Sequence, residues 1–115
     1  MEHIEFNILL RERVAEIERV LAVKREEYSK GGDVFSNFKR GASMSFHDEP
    51  ESYAWELLVK HLQSIKDMIA HLEVDGYNGY PTKELIREKV GDSVNYLLLI
   101  ELMILERIRK GNPHI

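Results

Sequence analysis

The chain has 115 residues, 43% apolar and 31% charged, with a formal net charge of −4 and no cysteine. These totals predict one folded domain over residues 1–115 and exclude a disordered polyelectrolyte, a disulfide scaffold and a cysteine zinc site. They argue against a nucleic-acid partner. No apolar run is long enough for a membrane span, and Glu2, Glu5, Arg11 and Glu12 interrupt the first apolar residues, so a cytoplasmic protein with no membrane partner is expected.

Residues 3 to about 29 read as one long helix. Leu10, Val14, Ile17 and Leu21 form a 3-4-3 apolar stripe, with Val20 and Tyr28 adjoining. Arg11, Glu12, Arg13, Glu16, Glu18 and Arg19 form the other face. Glu12 and Glu16 are either a carboxylate pair for a metal or a solvated pair bridged by arginines. Lys30-Gly31-Gly32 stops the helix. Asp33 suits the cap of a short helix to about Arg40, with Phe35 and Phe38 on one side. Asn37, Lys39 and Arg40 then stand beside Gly41, where cations and backbone N–H groups suit a phosphate; the alternative is a surface connector. Residues 43 to 49 read as a loop, with His47 exposed.

A second long helix should start with Asp48 as N-cap, Pro50 in the first turn and Glu51 as capping-box partner, and run to about Leu72. Its stripe is Leu58, Leu62, Ile65, Ile69 and Leu72, widened by Trp55 and Met68. Beside it lies a polar row, Lys60, Ser64 and Asp67, flanked by His61. Tyr77 and Tyr80, in the loop before Pro81, either cover a cleft or pack the loop. Thr82 caps a third long helix to about Lys110, ended by Gly111-Asn112-Pro113.

That last helix carries the strongest signal. Leu97 to Leu105 contains one charged residue, Glu101, so burial on most sides is required. Ahead of it, Glu88, Asp92 and Asn95 share one face at i, i+4 and i+7. If they face inward the carboxylates need a cation, a basic side chain or a ligand; otherwise they are the solvated first turns of the helix. Three helices of roughly 22 to 28 residues would be about 33 to 42 Å long, which is long for so short a chain. The expected fold is all-α: three long helices plus a short helix, in an antiparallel bundle completed by oligomerisation as a homodimer or higher homo-oligomer.

Three blocks, Asp33-Val-Phe-Ser-Asn37-Phe38-Lys39, Lys60-His61-Leu-Gln-Ser64-Ile-Lys-Asp67-Met68 and Glu88-Lys-Val-Gly-Asp92-Ser-Val-Asn95-Tyr96, resemble small phage and bacterial proteins of the nucleotide-modification-associated type. The last block also resembles the second metal-binding helix of the MazG-like all-α nucleotide pyrophosphohydrolases. That resemblance implies magnesium held by acidic residues of two helices, here Asp67, Glu88 and Asp92, which would be both the metal and the catalytic residues. Where such enzymes carry paired glutamates on the earlier helix, this chain has Lys60, His61 and Ser64, which suit phosphate contacts. Lys89, not glutamate, stands three before Asp92.

Three functions follow as expectations. The first is a metal-dependent nucleoside triphosphate pyrophosphohydrolase. Its phosphate and base contacts would come from Asn37, Lys39, Arg40, Lys60, His61, Ser64, Asn95 and Tyr96. The second is a non-catalytic binder that sequesters a nucleotide-derived signal. The third is a structural helical oligomer in which Glu88 and Asp92 are neutralised by Lys60 or Arg87.

Overall fold

The structure is a computed structural model that describes residues 1–28 and 32–111. It contains α1 (His3–Tyr28), α2 (Ser36–Met44), α3 (Pro50–Asp75) and α4 (Lys83–Gly111), so the all-α expectation holds. Among the described residues, no helix is long and apolar enough to cross a membrane. The expected stop at Lys30 and Gly31, and the end at Asn112 and Pro113, lie outside the described residues. The chain divides into two compact units, residues 1–37 and 38–115.

In the first unit, α1 presents Ile4, Phe6, Leu10 and Val14 to solvent, while Ile17, Val20 and Leu21 are half-buried. Arg13 donates to Glu16 at 2.9 Å, so Glu16 is bridged one turn away by an arginine. Asp33 Oδ1 accepts from Phe35 N–H at 2.9 Å, and the Asp33 carbonyl from Ser36 N–H at 3.2 Å. The side chain thus closes a turn two residues on, so α2 starts at Ser36 and not directly after Asp33. The helix also continues past Arg40, through the small residues Gly41, Ala42 and Ser43, to Met44.

The second unit is built on α3 and α4, which pair antiparallel. Glu51 near the start of α3 meets Arg107 near the end of α4, and His61 meets Asp92 further along. Their seam buries Ala54, Leu58 and Met68 from α3 and Asn95, Leu99 and Met103 from α4. Phe38 is buried in this unit; Phe35, expected on the same side of the short helix, precedes α2 and belongs to the first unit. The Phe38 ring stands edge-on to Tyr53 and to Tyr96, each 6.5 Å away.

The helix ends show where local signals were decisive. Thr82 Oγ1 accepts from Leu85 N–H at 3.1 Å, as its capping role requires. At α3 the expectation needs correction. The N-cap is Glu49, extended and without a side-chain cap bond, and not Asp48. Glu49 and Glu51 both turn to Arg107, which donates to Glu51 at 2.8 Å. Arg107 thus ties the first turn of α3 to the end of α4, and no side chain caps α3. Arg107 holds the Glu49 carboxyl below its ordinary range. α3 runs on to Asp75, where Gly76, at φ +65°, donates its N–H to Leu72 O at 3.0 Å.

Gly41 fixes how closely Tyr53 approaches α2. A Cβ at Gly41 would lie 2.1 Å from Tyr53 Cε1 and 2.6 Å from Cζ, so the ring would have to leave Phe38. Gly41→Ala should therefore destabilise the protein by about 1–3 kcal/mol, the ordinary cost of overpacking, read from urea unfolding. Gly111→Ala, whose Cβ meets nothing within 4 Å, should cause no such loss.

Candidate functional site

Helical spacing brings His61 of α3 and Asp92 and Tyr96 of α4 to the seam, because 54, 58, 61, 65 and 68 fall on one face of α3. His61 Nδ1 lies 3.8 Å from Asp92 Oδ2, too far for a hydrogen bond. The His61 and Tyr96 rings are tilted at 35° with centroids 5.4 Å apart. Asn95 is buried one residue before Tyr96. Two polar atoms here, His61 Nδ1 and Asn95 Oδ1, are buried with no hydrogen-bond partner. Each such atom costs about 1–3 kcal/mol relative to a satisfied one. Ser93, also buried, satisfies itself by donating to Lys89 O at 2.7 Å.

Burial chiefly pushes the Tyr96 phenol above its ordinary value, and the negative charge of Asp92 and the nearby Tyr53 push it the same way. Neutral Tyr96 remains a donor at neutral pH, and its ring is the wall between His61 and Phe38.

The other candidates stand apart from this cluster. Asp67 is exposed and accepts from Gln63 on its own helix at 2.8 Å. Ser64 Oγ donates back to Lys60 O at 3.2 Å, the usual self-satisfaction of a helical serine, and Lys60 is exposed. Glu88 is exposed on the first turns of α4. Among the described residues, no three His, Cys, Asp or Glu side chains are grouped to hold a metal. Asp92 is the carboxylate that meets α3 in the seam. It is a single carboxylate, where magnesium is usually held by one or two carboxylates together with substrate phosphate. Asn37, Lys39 and Arg40 are exposed on α2, and the last two directly follow Phe38, which packs on Tyr96. In the interhelical loop, Tyr77 is exposed. Tyr80 packs edge-on against His71 at 4.9 Å, and His71 Nε2 lies 3.1 Å from Asn78 Oδ1.

Sequence reasoning missed Tyr53 and misjudged His47. His47 is partly covered, pairs with Glu56 and stands 6.2 Å from the Tyr53 ring. The available signal was Gly41, a residue small enough for a ring to close on a helix. Comparison of the chain with protein-family models, curated proteins and solved structures gives no match.

Two measurements check this geometry. In a spectrophotometric titration of the five tyrosines, the most alkaline transition should vanish in Tyr96→Phe. Because the folded pKa is raised, the stability that Tyr96 contributes is complete below about pH 10, the unfolded value, and is lost as pH rises through the folded one. Asn95→Leu should leave stability unchanged or raise it by about 1 kcal/mol, since it removes an unpaired buried acceptor. A loss of 2 kcal/mol or more would mean that Asn95 is satisfied in solution.

Proposed function

We propose that the chain binds a nucleotide or a nucleotide-derived small molecule at the α3–α4 seam, around His61, Asp92, Asn95 and Tyr96. The observation that carries this reading is the pair of buried, unpartnered polar atoms, His61 Nδ1 and Asn95 Oδ1, beside the Asp92 carboxylate. Asn95 Oδ1 and Asp92 accept hydrogen bonds, and so does the neutral His61 nitrogen when it carries no proton. The complementary ligand edge is a donor, such as the amino group of a base. Tyr96 offers that base a ring. Phosphates are acceptors and would be served by Lys39, Arg40 and Lys60, three exposed cations of α2 and α3. In the hydrolytic form of this reading, Asp92 would anchor magnesium, which would supply charge neutralisation at the phosphates and an activated water.

A second reading, self-association, is favoured by a separate observation. Trp55, Val59, Leu62 and Ile69 of α3, with Leu97, Leu102, Ile104, Leu105 and Ile108 of α4, are exposed. So much exposed apolar surface on two helices supports the reading of an interface. We assign these faces to further copies of the chain, as a homodimer or higher homo-oligomer. The two readings are compatible.

The test is incubation with a panel of nucleoside triphosphates and cyclic dinucleotides, with and without magnesium, followed by denaturation and mass identification of every nucleotide. At a ligand concentration 100 times Kd the folded state gains about 2.7 kcal/mol. For a domain of this size that raises the melting temperature by ~10 °C or more. Asp92→Asn and Asn95→Leu should abolish the rise. Monophosphate formed only with metal identifies hydrolysis, whereas intact nucleotide recovered from the protein identifies sequestration. No thermal shift and no depletion across the panel would overturn the nucleotide reading.

A further inference from the structure

The connection between α2 and α3 breaks a local rule. His47 N–H donates to Ala42 O at 2.9 Å and Ser45 N–H to Gly41 O at 3.0 Å. The first bond reaches five residues back, the closure that ends a helix by placing one residue in the left-handed region. Glycine normally fills that place, because a Cβ there costs about 1 kcal/mol or more. Here it is Phe46, at φ +61°. The ring recovers nothing within the chain, since Phe46 is 97% exposed. A large aromatic residue at a strained position, facing water, lowers the stability of the single chain. Such violations of local consistency collect at functional positions.

Directly beside it is an open groove of about 560 Å³, lined by His47, Glu51, Ser52, Trp55, Glu56 and Val59. Its charged residues are matched internally, Glu56 with His47 and Glu51 with Arg107. The lining therefore offers no lysine or arginine to a phosphate. What remains is apolar, above all Trp55, which is 54% exposed. The chemistry selects an aromatic or aliphatic occupant.

We propose that this groove receives Phe46 of a second copy of the chain, in a reciprocal exchange about a two-fold axis. Phe46 immediately precedes His47, a lining residue of the groove. An axis passing close to His47 would therefore carry each ring onto the other copy's groove, the self-complementary contact that two-fold symmetry demands. The surface is sufficient. Met44, 83% exposed, lies two residues before Phe46, while Val59 and Leu62 extend the patch along α3. With aromatic side chains burying 150–250 Å² each, these five residues offer roughly 600 Å² per copy. The sum over two copies, ~1,200 Å², reaches the lower edge of specific interfaces. The inference deepens the self-association reading above and is independent of nucleotide binding.

Sedimentation of the full chain over a range of concentrations tests it. The natural sequence should associate reversibly. Phe46→Gly should raise the dissociation constant on the order of 100-fold, since it removes two buried rings per dimer. The same variant should melt at an equal or higher temperature when dilute, because glycine suits the helix end. A merely damaged fold would lower both association and melting. In this cysteine-free chain, Ser45→Cys protein mixed with Val59→Cys protein should form a mixed disulfide on oxidation. Association unchanged by Phe46→Gly, with no mixed disulfide, would overturn the exchange and leave other faces to hold the copies together. A natural chain that stays monomeric at every concentration would overturn the exchange and the self-association reading together, while leaving the nucleotide test unaffected.

Discussion

Two helices packed against each other share one seam, and that geometric limit governs the second unit of this protein. α4 is apolar on several sides from Leu97 to Leu105, yet α3 covers only the stripe through Asn95, Leu99 and Met103. Fully burying a leucine or isoleucine contributes about 1.5–3 kcal/mol, so six half-exposed residues of this kind on α4 forgo roughly 5–9 kcal/mol. That is comparable to the whole net stability of a typical domain. The pair holds its register through contacts at both ends of the seam, with Arg107 gripping Glu49 and Glu51 near one end and His61 facing Asp92 towards the other. The apolar surface left over is the physical case for further copies.

The seam also carries an expense of its own. A histidine nitrogen and an amide oxygen are buried without partners in a place where leucines would pack well. Stability alone would favour apolar residues there, because replacing an unpaired polar group by an apolar one of similar shape is neutral or stabilising. Ser93, two residues before Asn95, shows the contrast: it is buried but satisfied by its own helix at Lys89 O. His61 and Asn95 have no such local solution. The His61 side chain sits next to the Asp92 carboxylate and the Tyr96 ring.

How much of this was legible in the sequence depends on how local each signal is. The Thr82 cap could be read because its bond closes three residues away on the same chain. The three long helices could be read from periodicity. Which face of α3 would be buried could not, because α3 carries two apolar rows. One runs through residues 54, 58, 65 and 68, the other through 55, 59, 62 and 69, and the two are one position apart in sequence. The expected stripe drew Leu58 and Ile65 from the first row and Leu62 and Ile69 from the second, and only the first row meets α4. For the same reason the sequence could not say that His61 faces Asp92 while Asp67 and Glu88 lie exposed. Spacing places residues on a face of their own helix and says nothing of the register between helices. Asp48 lost its cap to Glu49 because Arg107, more than fifty residues away, pulls on that segment. Tyr53 left no trace except in the smallness of Gly41.

The two rows of α3 separate two jobs. His61 belongs to the row that faces α4, whereas Trp55 and Val59 belong to the row that faces away and forms the floor of the groove. The two rows are one position apart, which in a helix is about 100° of rotation, so one helix presents the polar seam and the apolar groove on adjacent sides. The charges follow the same division. Around the groove, Glu51 and Glu56 are matched by Arg107 and His47, leaving an apolar floor for an apolar occupant. In the seam, the unpaired atoms are His61 Nδ1 and Asn95 Oδ1, which an apolar group could not satisfy. A residue changed on one row therefore need not disturb the other, so the proposed ligand binding and the proposed self-association call for substitutions on different rows.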